Sequence, residues 1–185
     1  PEAELKENRE VYFSKTIYIE KEDFMENPPP KFFRLTVGKE VRLKGAYIIK
    51  AESILKDTSG NITEILCTYD PKSKSGSGTA ESQRKVKGTL HWVSAENSVD
   101  LEIREYDRLF THQSPGDFDP SDFNSILNND SVKIYNGYGE SAIKKTSQNE
   151  PVQFQRKGYY VLDPSSSKDS LVFNKTVGLR DSWNK

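Results

Sequence analysis

The sequence predicts an all-β protein built as two β-barrels. Three observations carry that prediction. Apolar residues recur with period two along most of the chain, the runs are rich in β-branched and aromatic residues, and turn formers separate them. Helical periodicity is nearly absent. Roughly eleven short strands with regular turn signals read as an all-β sandwich or barrel, and eleven are many for one small barrel, so two barrels are expected.

In chain order, the first strand is expected at Val11–Glu20. A short helix follows at Glu20–Met25 and stops at Pro28-Pro29-Pro30, which cannot continue it. Strands are then expected at Lys31–Val37, Val41–Lys44, Ala46–Lys56 and Ile62–Tyr69. In the first two of these, Phe33, Leu35 and Val37 share one face, as do Val41 and Leu43. Opposed residues point the same way, so a hairpin with a Gly38-Lys39-Glu40 loop would set Val37 against Val41 and Leu35 against Leu43. Its outer face would gather Arg34, Arg42 and Lys44. Like charges opposed across a sheet cost stability, which points to an anionic or strongly accepting ligand there.

Residues 71–84 (PKSKSGSGTAESQR) contain no hydrophobic side chain larger than Ala and read as a mobile hairpin tip. Strands resume at Lys85–Val93 and Leu101–Phe110, the second ending the first domain. Residues 112–120 read as a linker, and Ser121 is expected to cap a short helix over Ser121–Leu127. The final strands are expected at Val132–Asn136, Val152–Arg156, Tyr159–Asp163 and Leu171–Val177. The domain division expected is therefore 1–110 and 111–185.

Composition narrows the function. Hydrophobic residues at 34% and aromatics at 11% suffice for a core, whereas charged residues reach 30%. No apolar run approaches the roughly 20 residues of a membrane-spanning helix, and the N-terminal stretch PEAELKENRE has no signal-peptide core. A cytoplasmic protein without membrane association is expected. A start at Pro1 reads as a trimmed chain or a fragment. Net charge is −1, but 31–50 holds six cations (Lys31, Arg34, Lys39, Arg42, Lys44, Lys50) against Glu40 alone. Such a stripe is a local electrostatic footprint.

Catalytic patterns fail in turn. There is no G-x-S-x-G elbow and no phosphate-binding P-loop. His91 and His112 lack a zinc-site pattern, and Cys67, the single cysteine, reads as a small buried strand residue. The residues alone thus describe a binding module with a basic patch.

Seven stretches, in order, carry a resemblance. They are REVYFSKTIYIEKEDF (9–24), FRLTVGKEVRLKGAYIIKAE (33–52), GNITEILCTYD (60–70), RKVKGTLHWVSAE (84–96), LEIREYDRLFT (101–111), VQFQRKGYYVLD (152–163) and LVFNKTVGLRDSW (171–183). The chain resembles the C-terminal anticodon-binding domain of bacterial-type glutaminyl-tRNA synthetases. The resemblance implies a pair of six-stranded-type β-barrels that exchange N-terminal strands. It implies glutamine tRNA as partner through its anticodon loop, with the catalytic part of the same polypeptide as a second partner. A monomer is expected. It implies no cofactor in this chain, with ATP and Mg serving a catalytic half whose motifs this sequence lacks. On that basis this chain alone is expected to be inactive as a ligase.

By position, Arg34 matches the arginine that reads the third anticodon base, a guanine. Arg42 and Lys44 match the pair near the first base. Gln153 and Arg156 match the readers of the middle uracil, and Lys31 a neighbouring polar position. Phe33 and Lys44 depart from the usual lysine and arginine. Gln153 and Arg156 have opposite parity in a regular strand, so they can serve one base only where the strand bulges or ends between them. The alternative is a free-standing barrel that binds a structured RNA or a protein partner without an attached ligase.

Overall fold

The computed structural model describes residues 9–179. The chain forms two compact units, Glu10–Asn97 and a second made of Ser98 onward together with Arg9.

In the unit Glu10–Asn97, β1 (Ile17–Ile19) pairs antiparallel with β6 (Trp92–Ser94). A four-stranded sheet runs β4 (Ile62–Asp70), β3 (Ile48–Lys56), β2 (Glu40–Leu43), β5 (Thr89–Leu90). The β3–β4 turn is closed by the Asp57 carboxylate, which accepts from the backbone N–H groups of Ser59 and Asn61 at 2.9 and 2.8 Å. Leu35, Val41, Leu43, Ala46, Ile49, Ala51, Leu90 and Trp92 form the core.

The expected hairpin of Lys31–Val37 with Val41–Lys44 does not form. Residues 31–37 contribute only isolated bridges, Leu35 with Phe24 and Val37 with Ala51, and β2 pairs instead with β3 and, in parallel, with β5. The facial pattern was partly sound, since Leu35, Val41 and Leu43 are all buried. At Gly38 (φ +80) the chain turns toward β3, with the Gly38 N–H donating to the Ala51 carbonyl at 2.7 Å. Val37 is left 42% exposed. Cys67 is also not buried: β4 is an edge strand, and Cys67 is exposed there although its register partner Ala51 lies in the core.

The second unit has a five-stranded sheet in the order β8 (Val132–Glu140), β7 (Ser98–Tyr106), β11 (Leu171–Val177), β10 (Gly158–Leu162), β9 (Val152–Phe154). Its core is Leu101, Tyr160, Leu171 and Phe173. Phe154 stacks on Tyr160 with centroids 4.3 Å apart. The compact units divide at 97/98 rather than at 110/111, because Ser98–Tyr106 pairs with β8 along its whole length and in parallel with β11. The helix expected at Glu20–Met25 is a 3-10 turn at Lys21–Asp23. That expected at Ser121–Leu127 is a 3-10 helix at Pro120–Ile126, capped by Asp119 rather than Ser121. Arg9 joins the second unit through Glu140 at 2.7 Å. The strand expected at Val11–Glu20 is shortened to β1, and the expected exchange of N-terminal strands involves a segment of which residues 1–8 lie outside the described residues.

Candidate nucleic-acid interface

The basic stripe is held by local geometry around the Pro28-Pro29-Pro30 run. The Phe32 N–H donates to the Pro29 carbonyl at 3.3 Å, closing a turn with Pro30 and Lys31 at its centre. Lys31 adopts φ 68°, a left-handed conformation unusual for a residue with a Cβ, and its side chain is exposed. Phe33 follows with half its surface exposed, and the Lys87 ammonium sits 5.3 Å above its ring centroid. The Gly88 backbone passes so close that a Cβ there would lie 2.2 Å from the Phe33 carbonyl oxygen.

Arg34 is oriented from below by an acid. Asp23 is fully buried, and its carboxylate lies 3.2 Å from Arg34 Nη1. The same Nη1 donates to the Glu22 carbonyl at 3.1 Å and lies 3.7 Å from the Glu22 carboxylate. Asp23 is itself placed by the backbone, its carbonyl accepting from the Leu35 N–H at 2.9 Å. All three contacts use one nitrogen, so Nε and Nη2 have no partner among the described residues. A guanidinium carries five N–H donors in a fixed fork, and this one is held at one corner with the rest available.

Arg42 is placed differently. Its Nη1 donates to the Ser73 carbonyl at 3.0 Å and Ser75 Oγ at 3.3 Å, and its Nη2 to the carbonyls of Ser82 at 2.9 Å and Arg84 at 3.1 Å. The three cations expected on one face therefore have separate surroundings. Arg34 faces an acid, Arg42 faces carbonyls, and Lys44 lies exposed in the turn after β2, its backbone N–H donating to Leu90 at 2.9 Å. Residues 31–34, 42–44 and 84–90 still form one neighbourhood. Arg42 pairs with Thr89 and Leu43 with Leu90, and the Arg42 N–H donates to the Gly88 carbonyl at 3.1 Å.

Residues 71–84, expected to be a mobile tip, are stapled. Ser73 is fully buried; its hydroxyl accepts from the Ile48 N–H at 2.7 Å and donates to the Asp70 carbonyl at 2.6 Å. Thr79 caps the short helix Ala80–Gln83 and donates to the Lys72 carbonyl at 2.5 Å. The missing large apolar groups were a misleading signal, because hydroxyls and carbonyls do the ordering here. The spaced hydroxyls at 73, 75, 79 and 82 were the cue available in the sequence.

In the other unit, Gln153 is exposed on β9 opposite Tyr159, which is 42% exposed. The strand ends at Phe154, and Lys157 N–H donates to the Phe154 carbonyl at 2.9 Å. Arg156 takes φ 64° in the turn between. The strand thus ends between Gln153 and Arg156, which is the geometry their opposite parity requires.

An all-β pair of units presenting arginine and lysine beside exposed aromatics has the chemistry of a single-stranded RNA reader. Comparison with known proteins agrees. Residues 1–70 and 89–163 match two family models, both described as tRNA synthetases class I (E and Q), anti-codon binding domain. The chain belongs to this family of class I synthetase anticodon-binding domains, and specifically to its glutaminyl branch. It is 47% identical over its full length to the glutamine–tRNA ligase of Rhodopirellula baltica, covering 31% of that protein. It is 50% identical over 96% of its length to that of Vibrio parahaemolyticus, again covering 31%. It is 45% identical over its full length to that of Nitrobacter hamburgensis, covering 32%. The chain spans about a third of the length of these relatives.

Proposed function

We propose that this chain reads the anticodon of glutamine tRNA within a longer glutamine–tRNA ligase. In that reading the remainder of the polypeptide joins glutamine to the tRNA and holds ATP with Mg, and the protein acts in the cytoplasm as a monomer. Similarity along 96–100% of the chain to three glutamine–tRNA ligases is the observation that carries it.

Within the site, Arg34 reads the third base, a guanine, using the donors that Asp23 and Glu22 leave available. A guanine edge offers two acceptors that an arginine fork matches. Lys44 serves the region of the first base, Arg42 serves it by holding the neighbouring loop in place, and Lys31 lies beside the site. Gln153, with a donor and an acceptor on one amide, suits the edge of the middle uracil, and Arg156 in the adjoining turn assists it.

The test is binding of the chain to a glutamine-tRNA transcript and to one altered at the third anticodon base. Arg34→Ala is expected to lower discrimination between them by about 1–3 kcal/mol, roughly 5- to 150-fold, borrowing the scale of specific contacts to DNA bases. Lys39→Ala, in the turn before β2, is expected to weaken both equally. Equal losses on both transcripts for Arg34→Ala would show that it grips the backbone instead of the base.

A further inference from the structure

The four hydrogen bonds of Arg42 all end on one segment, and that segment is basic. Residues 71–88 contain Lys72, Lys74, Arg84, Lys85 and Lys87 against Glu81 alone. Arg84 is neutralised by Glu40, and its Nη2 also lies 3.7 Å from the Asp70 carboxylate. The four lysines are exposed. Without restraint, a Ser- and Gly-rich segment would spread those charges over many conformations and lose entropy on meeting a ligand.

The restraint is Arg42. Its two terminal nitrogens reach opposite ends of the segment, Ser73 and Ser75 on one side and Ser82 and Arg84 on the other. One planar fork thus closes a loop from within β2. Secondary staples hold the same loop: Ser75 N–H to the Ala46 carbonyl at 2.9 Å, and Thr79 to Lys72. The segment's end runs into the candidate interface, where Lys87 lies over Phe33 beside Arg34.

We propose that Arg42 is a positioning residue, a clamp for residues 73–84, and that the clamped segment and its immediate flanks present Lys72, Lys74, Lys85 and Lys87 to the phosphate backbone of the bound RNA. The phosphate contact rests on the RNA-binding reading above; the clamp does not. Lysines make point-charge contacts that track phosphates without reading bases. The segment therefore supplies affinity and salt dependence, while Arg34 supplies discrimination.

Two measurements on the 185-residue chain test this. The first is tryptic nicking after Lys72, Lys74 and Lys85 without RNA. Arg42→Lys keeps the charge but loses the fork, and should speed nicking roughly 10- to 100-fold, the equivalent of losing charged hydrogen bonds of about 1.5–3 kcal/mol. Thr79→Ala, with Arg42 intact, should loosen the same segment. Unchanged nicking in Arg42→Lys overturns the clamp.

The second is affinity for a glutamine-tRNA transcript across a salt series. The Lys72→Ala, Lys74→Ala double variant should flatten the slope of log affinity against log salt by about 0.7 per lysine, with third-base discrimination intact. Thr79→Ala should lower affinity as Arg42→Lys does, since both release the loop. An unchanged slope in the lysine variant overturns the phosphate contact. So does loss of affinity in Arg42→Lys without loss in Thr79→Ala, which would place Arg42 on the RNA itself. Failure of the wild-type chain to bind the transcript would overturn the RNA-binding reading and the phosphate contact together, and nicking would still decide the clamp.

Discussion

Asp23→Asn separates the orientation of Arg34 from its chemistry, since Asp23 is fully buried and cannot meet a ligand directly. The substitution keeps size and removes charge. It converts the 3.2 Å contact with Arg34 Nη1 from charge-assisted to neutral. Breaking a fully buried pair costs about 3–5 kcal/mol. The Arg34 side chain is 36% exposed, so water can solvate much of the charge left behind. The expected loss is therefore about 1–2 kcal/mol, nearer the value of a single charged hydrogen bond. For a chain of this size that is a fall of roughly 2–8 °C in the unfolding midpoint. Thermal unfolding at pH 7 measures it. Binding to the two transcripts supplies the second readout: Asp23→Asn should reduce third-base discrimination in the same direction as Arg34→Ala, though less. A midpoint within about 1 °C of wild type, with discrimination intact, would refute the claim that the acid below holds the arginine in place.

Three further outcomes follow from particular contacts. Gly88→Ala should cost roughly 2–5 kcal/mol in denaturant unfolding, because φ is +100° and the new Cβ would meet the Phe33 carbonyl at 2.2 Å, which only a backbone shift can relieve. The Asp163 carboxyl is pulled down from 3.8 to about 2, first by the Ser165 hydroxyl and then by the Asn174 amide, with Arg104 a smaller cause. A depressed folded pKa stabilises above the unfolded value and loses that contribution as pH falls through the folded one. Asp163→Asn should therefore lower the unfolding midpoint at pH 7, and the gap from wild type should close between about pH 4 and pH 2. Cys67 is exposed, yet partial desolvation and then the Glu52 charge push its thiol from 9.0 to about 11, so alkylation should remain slow at pH 8 and rise toward pH 11. Glu52→Gln should move that rise to lower pH, as read by the alkylation rate.

Much of this protein is written locally. Period-two runs located β3, β4, β10 and β11 closely, since a half-buried strand must alternate whatever it pairs with. The same alternation placed Leu35, Val41 and Leu43 inside. The basic stripe was visible as charge, and the strand end between Gln153 and Arg156 was foreseeable from Lys157-Gly158.

Pairing partners were decided only in three dimensions. Alternation states which face is apolar but not which strand lies alongside, so the hairpin expected at 31–44 gave way to parallel pairing of β2 with β5, far along the chain. The parallel pairing of β7 with β11 moved the unit boundary for the same reason. Arg34 and Arg42 look alike in the sequence, two residues of one basic stripe. The fold sets one over a buried carboxylate and the other under four loop acceptors, because a guanidinium's role depends on which acceptors the chain brings within about 3 Å of it.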